Sequence, residues 1–208
     1  MLDDDTADGF ITIVSGLPRS GTSLMMKMLE ADGLTLLTDD FRRPDEDNPG
    51  GYYEYAAVKH TARDAGWVSL ARGKVVKVIH ALLPHLPANE QYRVLMLERD
   101  LEEVVDSQQA MLQRSGNAGA ALSRVELIAA YRRQLEEVKL WIAGQLNFRY
   151  TTVCFNQLLS KPHSQLAGIA DLLARPLNAQ AMAAVIDPAL YRQRRHGTAQ
   201  KGRLSARE

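Results

Sequence analysis

Residues 10–31 read FITIVSGLPRSGTSLMMKMLEA: an apolar run, a glycine-punctuated turn and a methionine-rich helical stretch, in that order. No other feature of the chain constrains the fold as much. A run that is apolar without alternation must be covered on both faces, the condition of a strand inside a parallel sheet. The turn then feeds directly into a helix predicted over Thr22 to Ala31. A strand followed by a crossover helix is the unit from which parallel sheets are built.

Three more runs of the same kind follow: KVVKVI (74–79), YRVLML (92–97) and YTTVCF (150–155). Helical stretches lie between and after them, predicted over Tyr53 to Ala65, Leu101 to Gln113, Ser123 to Leu146 and Ser164 to Leu173. Asp100 with Glu103, and Ser123 with Glu126, have the spacing of helix-start capping boxes. Val125, Ile128, Leu135, Val138 and Ile142 recur at helical spacing, which predicts that the long helix packs along one face. The pattern is that of an α/β chain, a three-layer domain with a central parallel sheet flanked by helices. Residues 39–51, DDFRRPDEDNPGG, are charged and turn-rich and predict a surface loop at the sheet edge.

The 208 residues are 46% apolar and 24% charged, enough for one domain over 1–208, with 1–9 and the basic 198–208 expected as flexible tails. Formal net charge is zero, so the molecule as a whole has no electrostatic reason to bind nucleic acid or a membrane surface, and any anion site must be local. The acidic start MLDDDTADG has no signal-peptide character, and no apolar run approaches a membrane span. A soluble, cytoplasmic protein is expected. The only cysteine, Cys154, excludes an internal disulfide and reads as a small buried hydrophobe.

The turn carries the chemistry. Gly16-x-x-x-x-Gly21-Thr22-Ser23 has the spacing of a phosphate-cradling loop, except that Thr22 stands where a nucleotide hydrolase has lysine. Backbone N–H groups in such a turn, backed by the positive end of a helix dipole, make a nest for an oxyanion. Thr22 offers a hydroxyl without charge, and Arg19 inside the loop offers the charge instead. Such a site suits a sulfuryl group, which is less negative than a terminal phosphoryl. Met25, Met26 and Met28 read as core residues beside the loop.

Pro18-Arg19-Ser20-Gly21-Thr22-Ser23 resembles the P-[KR]-S-G-T-[ST] loop of sulfotransferases that use 3′-phosphoadenosine-5′-phosphosulfate (PAPS), where it binds the 5′-phosphosulfate. Arg99, at the end of an apolar strand, and Ser107, eight residues on, resemble the family's R-[DN]-P-x-[DE]-x-x-x-S element, with Leu101 in place of proline. The resemblance implies that this pair binds the 3′-phosphate. Phe155-Asn156 stands where the family has tyrosine and glutamate, and LYRQRRHG is similar to its C-terminal basic loop, which implies Arg194 and Arg195 as further 3′-phosphate ligands. These likenesses span residues 10–197 and imply a P-loop-type fold, PAPS as co-substrate, no metal, and an acceptor that is a small molecule or is borne on a carrier.

The same resemblance implies a histidine or glutamate as general base. His80 closes KVVKVIH and stands first, with Lys77 three residues before it where the family has two; Glu54, in NPGGYYEY, resembles the N-P-x-G-Y-x-E segment of bacterial members and stands second. Two other classes remain open at this stage. One is a kinase or NTPase, which would need Mg²⁺ and a substitute for the loop lysine; the other is a catalytically silent nucleotide-binding protein.

Overall fold

The computed structural model describes residues 9–39, 42, 44–45, 48–116 and 122–190. Strands β1 (Ile11–Gly16), β2 (Val75–Lys77), β3 (Tyr92–Glu98) and β4 (Phe148–Cys154) form a parallel sheet in the order β2-β1-β3-β4. Among the described residues six α-helices accompany it: α1 (Thr22–Ala31), α2 (Leu101–Ser115), α3 (Arg124–Ala143), α4 (Phe155–Ser160), α5 (His163–Leu173) and α6 (Ala179–Ala184).

Every residue of β1 is buried, as its unbroken apolar character requires. Ile11 and Ile13 enter one core, with Val104 of α2 and Leu135, Val138 and Ile142 of α3. Phe10 and Val14 enter the other, with Met25, Met26 and Met28 of α1 and Leu166 and Ile169 of α5. The three methionines are fully buried core residues. The result is the three-layer α/β architecture that the apolar runs predict.

The strand order decides where a ligand can sit. From β1 the chain crosses by α1 to β2 on one side, and from β3 it crosses by α2 and α3 to β4 on the other. The carboxyl ends of neighbouring β1 and β3 therefore flank a topological switch point, where open α/β sheets leave a crevice. The register pairs Gly16 with Leu97, so the glycine loop and Arg99 leave the sheet side by side.

Local signals are kept or overridden in identifiable ways. Ser123 and Glu126 form the reciprocal capping box at the head of α3. Asp100 caps α2 by accepting from the amides of Glu102 and Glu103, but the Glu103 carboxylate turns to Arg99 instead of completing a box. The helix expected over Tyr53 to Ala65 does not form. Gly51 and Tyr53 have φ of 92° and 52°, outside helical backbone, and the Asp39 carboxylate accepts from Ala56 N at 2.6 Å, so the chain makes only 3₁₀ turns at Ala56–His60 and Gly66–Ala71. Val58, Trp67 and Val68 are nevertheless buried, so tertiary packing satisfies them without regular helix. The strand expected over 74–79 stops at Lys77, and His80 opens a 3₁₀ turn instead of closing the strand. Val125 lies outside the packed face of α3 and is 76% exposed. Cys154 is half-buried. Among the described residues no helix is long and apolar enough to cross a membrane.

Candidate active site

The loop between β1 and α1 can be built only with its glycines. Gly16 and Gly21 have φ of 149° and 101°; a Cβ on Gly16 would lie 2.6 Å from the Leu97 carbonyl oxygen, and one on Gly21 only 2.2 Å from the Phe155 ring. Arg19 itself takes a left-handed φ of 74°. Helix α1 has no side-chain cap at its start, and its first turn closes with Met25 N donating to Gly21 O at 3.1 Å. The amides of Thr22, Ser23 and Leu24 thus lie in the turn that has no intrahelical acceptors, at the positive end of the dipole.

These groups line a cleft of about 370 Å³ at the switch point. Pro18, Arg19, Gly21, Thr22 and Ser23 all border it, as do Glu54, Arg99 and Ser107. Ser20 sits beneath the loop, 1% exposed, with a buried hydroxyl that has no hydrogen-bond partner among the described residues. Among the described residues six cationic side chains line the cleft, Arg19, Lys27, Arg42, Lys77, Arg99 and Arg114, against two carboxylates, Glu54 and Asp187. A chain of zero net charge has concentrated positive charge at the crevice, as an anion site requires.

The ammonium absent from the loop comes from β2. The register places Lys77 beside Val14 near the end of β1, and its Nζ donates to Ser23 Oγ at 2.9 Å and to the Tyr52 carbonyl at 2.8 Å. Burial pushes the Lys77 ammonium down to about 8; Glu54 opposes that fall, and Arg42 and Arg19 add to it. A buried cation beside two other cations is a costly arrangement that an anionic ligand would relieve.

Arg99 and Ser107 meet through Arg19. Arg19 Nε donates to Ser107 Oγ at 3.0 Å, and Arg99 Nη1 donates to the Arg19 carbonyl at 3.2 Å. The Arg99 side chain is only 8% exposed; Glu103 accepts from its Nε at 2.9 Å, and its guanidinium carbon lies 4.9 Å from the centre of the Phe155 ring. Asn156 extends its amide towards both oxygens of Glu103 at 3.4 and 3.5 Å. A glutamate at 156 would instead set two carboxylates against each other. Phe155 thus supports both the loop at Gly21 and the arginine of β3.

The two candidate bases are placed differently. His80 is buried and does not line the cleft: its Nδ1 lies 3.3 Å from the Gly16 carbonyl and its Nε2 3.2 Å from Gln134 Oε1. Glu54 faces the cleft between two cations. Its Oε1 accepts from Arg42 at 3.3 Å, and its Oε2, a buried atom, lies 3.2 Å from Lys59 Nζ and accepts no hydrogen bond from the described residues. A carboxylate that borders the cleft and keeps an unused lone pair is a group that can accept a proton. Around it, Arg42 stacks 3.4 Å from the centre of the Tyr52 ring, and the Tyr52 hydroxyl donates to Asp45 at 2.7 Å. Burial, with that bond, pushes the Tyr52 phenol up to about 12.

Arg194 and Arg195 lie outside the described residues. In the sequence Lys77 stands out only as a register marker, and Arg42, Asn48 and Tyr52 do not stand out singly. For Lys77 a signal existed, since a lysine inside a short strand buried on both faces needs a partner for its charge. The other three depend on how a loop folds back. Among the described residues no group of three or more histidine, cysteine, aspartate or glutamate side chains is arranged to hold a metal ion.

No protein-family model matches this chain, and no curated protein matches it. Solved structures do. A sulfotransferase from Mycobacterium tuberculosis aligns over 90% of this chain and 74% of its own at 17% identity and a TM-score of 0.50. Sulfotransferase domains from the curacin biosynthetic pathway and from the olefin synthase of Synechococcus align at a TM-score of 0.48 each. The first shares 18% identity over 87% of this chain and 76% of its own, the second 17% over 86% and 80%. The chain is therefore similar in fold to a sulfotransferase.

Proposed function

We propose that this chain transfers the sulfuryl group of PAPS to an acceptor hydroxyl or amine, on a small molecule or a carrier-borne group, with Glu54 as general base. The observation that carries the reading is Lys77. The charge missing from the loop is restored by an ammonium arriving from β2 on Ser23, next to the uncapped first turn of α1.

The residues present fit such a donor. The amides of Thr22, Ser23 and Leu24 would hold the 5′-phosphosulfate, and Arg99, Ser107 and Arg19 would hold the 3′-phosphate. The donor supplies the sulfuryl group, its sulfur–oxygen bond to the 5′-phosphate breaking as the bond to the acceptor forms. Lys77 and the α1 dipole oppose the negative charge left on that phosphate. Glu54 takes the acceptor proton, with Arg42 and Lys59 holding its carboxylate in place. At the carboxyl end of β3, the carboxylate that a metal-dependent NTPase reading would recruit, Glu98, is paired with Lys139 at 2.6 Å.

The test is calorimetry with 3′-phosphoadenosine-5′-phosphate in excess EDTA, against ATP with Mg²⁺. Tight binding of the bisphosphate under chelation is expected; binding of ATP alone, and only with Mg²⁺, overturns the reading. Glu54→Gln should lower turnover by roughly 10²- to 10⁴-fold with bisphosphate affinity kept. If His80→Gln produces that loss and Glu54→Gln does not, the base is His80.

A further inference from the structure

We infer that Asn48 is a positioning residue that locks the Glu54 loop onto the donor-binding groups Ser23 and Lys77, so that the donor and the base share one rigid frame. The inference rests on the sulfotransferase reading for what the frame does, but not for the existence of the lock.

The geometry is compact. Asn48 Nδ2 donates to Ser23 Oγ at 3.0 Å and to the Gly51 carbonyl at 2.5 Å, spending both amide protons. Its backbone N–H donates to Asp45 at 2.9 Å, and Gly51 N returns a bond to the Asn48 carbonyl at 3.0 Å. One residue on, Tyr52 offers its carbonyl to Lys77. The loop is thus tied to the donor side at two points, two residues before Glu54 and six residues before it. Gly51 and Tyr53, both at positive φ, shape the turn between these ties and Glu54.

The ties do not consume what a ligand needs. An ammonium has three N–H bonds, and Lys77 spends two, on Ser23 and Tyr52. A serine oxygen that accepts from both Asn48 and Lys77 still has its own proton, which is only 3.5 Å-matched to the Tyr52 carbonyl. One ammonium N–H and one hydroxyl proton therefore remain for an anion while the loop stays anchored. Asn48 is suited to this position because its amide donates twice. An aspartate of the same shape donates to neither Ser23 nor Gly51, and would place a carboxylate against a carbonyl.

The lock is tested by hydrogen–deuterium exchange on the full chain carrying Asn48→Ala or the isosteric Asn48→Asp. Both substitutions should speed exchange across residues 49–56 by about tenfold and leave β3 unchanged, since hydrogen bonds of this kind are each worth up to about a decade. Unchanged exchange over 49–56 in both variants overturns the lock, whatever the ligand. With 3′-phosphoadenosine-5′-phosphate, calorimetry on each variant should give affinity within about threefold of the parent for Asn48→Ala, while turnover falls at least about tenfold. Affinity and turnover falling together would make Asn48 a donor ligand and overturn the positioning role. Wild-type turnover in Asn48→Asp would show that the amide protons are not what holds the loop, and would overturn the inference too. Should the parent protein not bind the bisphosphate, the sulfotransferase reading fails, and the exchange result decides the lock alone.

Discussion

The cleft has two walls built on different principles. The wall where the proposed donor would sit, which we call the donor wall, comprises the glycine loop, α1 and the end of β3 and is held by the sheet: β1 and β3 pair along six residues, and every residue of β1 is buried. The opposite wall, Asn48 to Ala56, where the proposed acceptor would sit and which we call the acceptor wall, has no α-helix or strand and is held by single side chains such as Asn48, Asp39 and Lys77. A wall held by a sheet tolerates little change at its backbone, whereas a wall held by separate side-chain bonds gives way one bond at a time. Positions that anchor donor chemistry are thus expected to be costly to the fold, and those on the acceptor side to be cheap to the fold and expensive only to turnover.

Gly21→Ala should show the largest effect on the donor wall. The new Cβ meets the Phe155 ring at 2.2 Å on a backbone of φ 101°, so overpacking and left-handed strain add. A loss of about 2 to 4 kcal/mol is expected from urea unfolding. A loss under about 1 kcal/mol would mean that Phe155 moves freely and the donor wall is not rigid.

Lys77→Met separates binding from folding. Losing a charge-assisted contact should weaken 3′-phosphoadenosine-5′-phosphate by about two decades. In the parent, affinity should fall as pH rises through about 8, because the ammonium deprotonates there and the neutral amine attracts no anion. That alkaline limb should vanish in Lys77→Met. Stability runs the other way. The folded state holds Lys77 below its ordinary 10.5, so burying the charge costs stability below about pH 8, and the cost disappears as pH rises towards 10.5. The cost at neutral pH is on the order of 3 kcal/mol. Lys77→Met should therefore melt no lower than the parent at pH 7; a lower melting point would show that Lys77 serves the fold more than the ligand.

Arg99→Ala tests the other end of the donor wall. It should weaken PAPS by between about one and two decades and leave adenosine 5′-phosphosulfate, which lacks only the 3′-phosphate, nearly unaffected. Ser107→Ala should act in the same direction and more weakly, and the double variant should lose less than the sum, because both side chains meet at Arg19. Equal weakening of both donors would move Arg99 to the sulfuryl end or to a purely structural role with Glu103.

Gly51→Ala should show the smallest effect. The glycine is at φ 92°, but a Cβ there finds only Tyr53 at 3.7 Å and Pro44 at 3.9 Å, ordinary contacts. About 1 kcal/mol from backbone strain is expected by thermal melting. A cost equal to that of Gly21→Ala would break the contrast between the two walls.

The sequence by itself determined the donor wall. Its elements are each written in contiguous residues: an unbroken apolar run for β1, two glycines at fixed spacing, a methionine-rich helical stretch for α1, and Arg99 just past β3, eight residues before Ser107 on α2. Helix α1 begins and ends at the residues its pattern predicts, Thr22 and Ala31. The acceptor wall could not be read in this way. The residues from Tyr53 to Ala65 have helix-compatible composition, but two positive φ angles and the Asp39 carboxylate impose turns, and nothing local announces them. The choice between His80 and Glu54, likewise, turns on where β2 ends. Only the tertiary structure decided that Lys77 reaches Ser23 across 54 residues of sequence, that Arg19 joins Ser107 across 88, and that His80 turns into the protein while Glu54 faces the cleft. The physical reason is that periodicity and spacing encode what a segment does with its own neighbours, whereas strand register and loop return, settled by burial of the whole core, decide which distant side chains share a site.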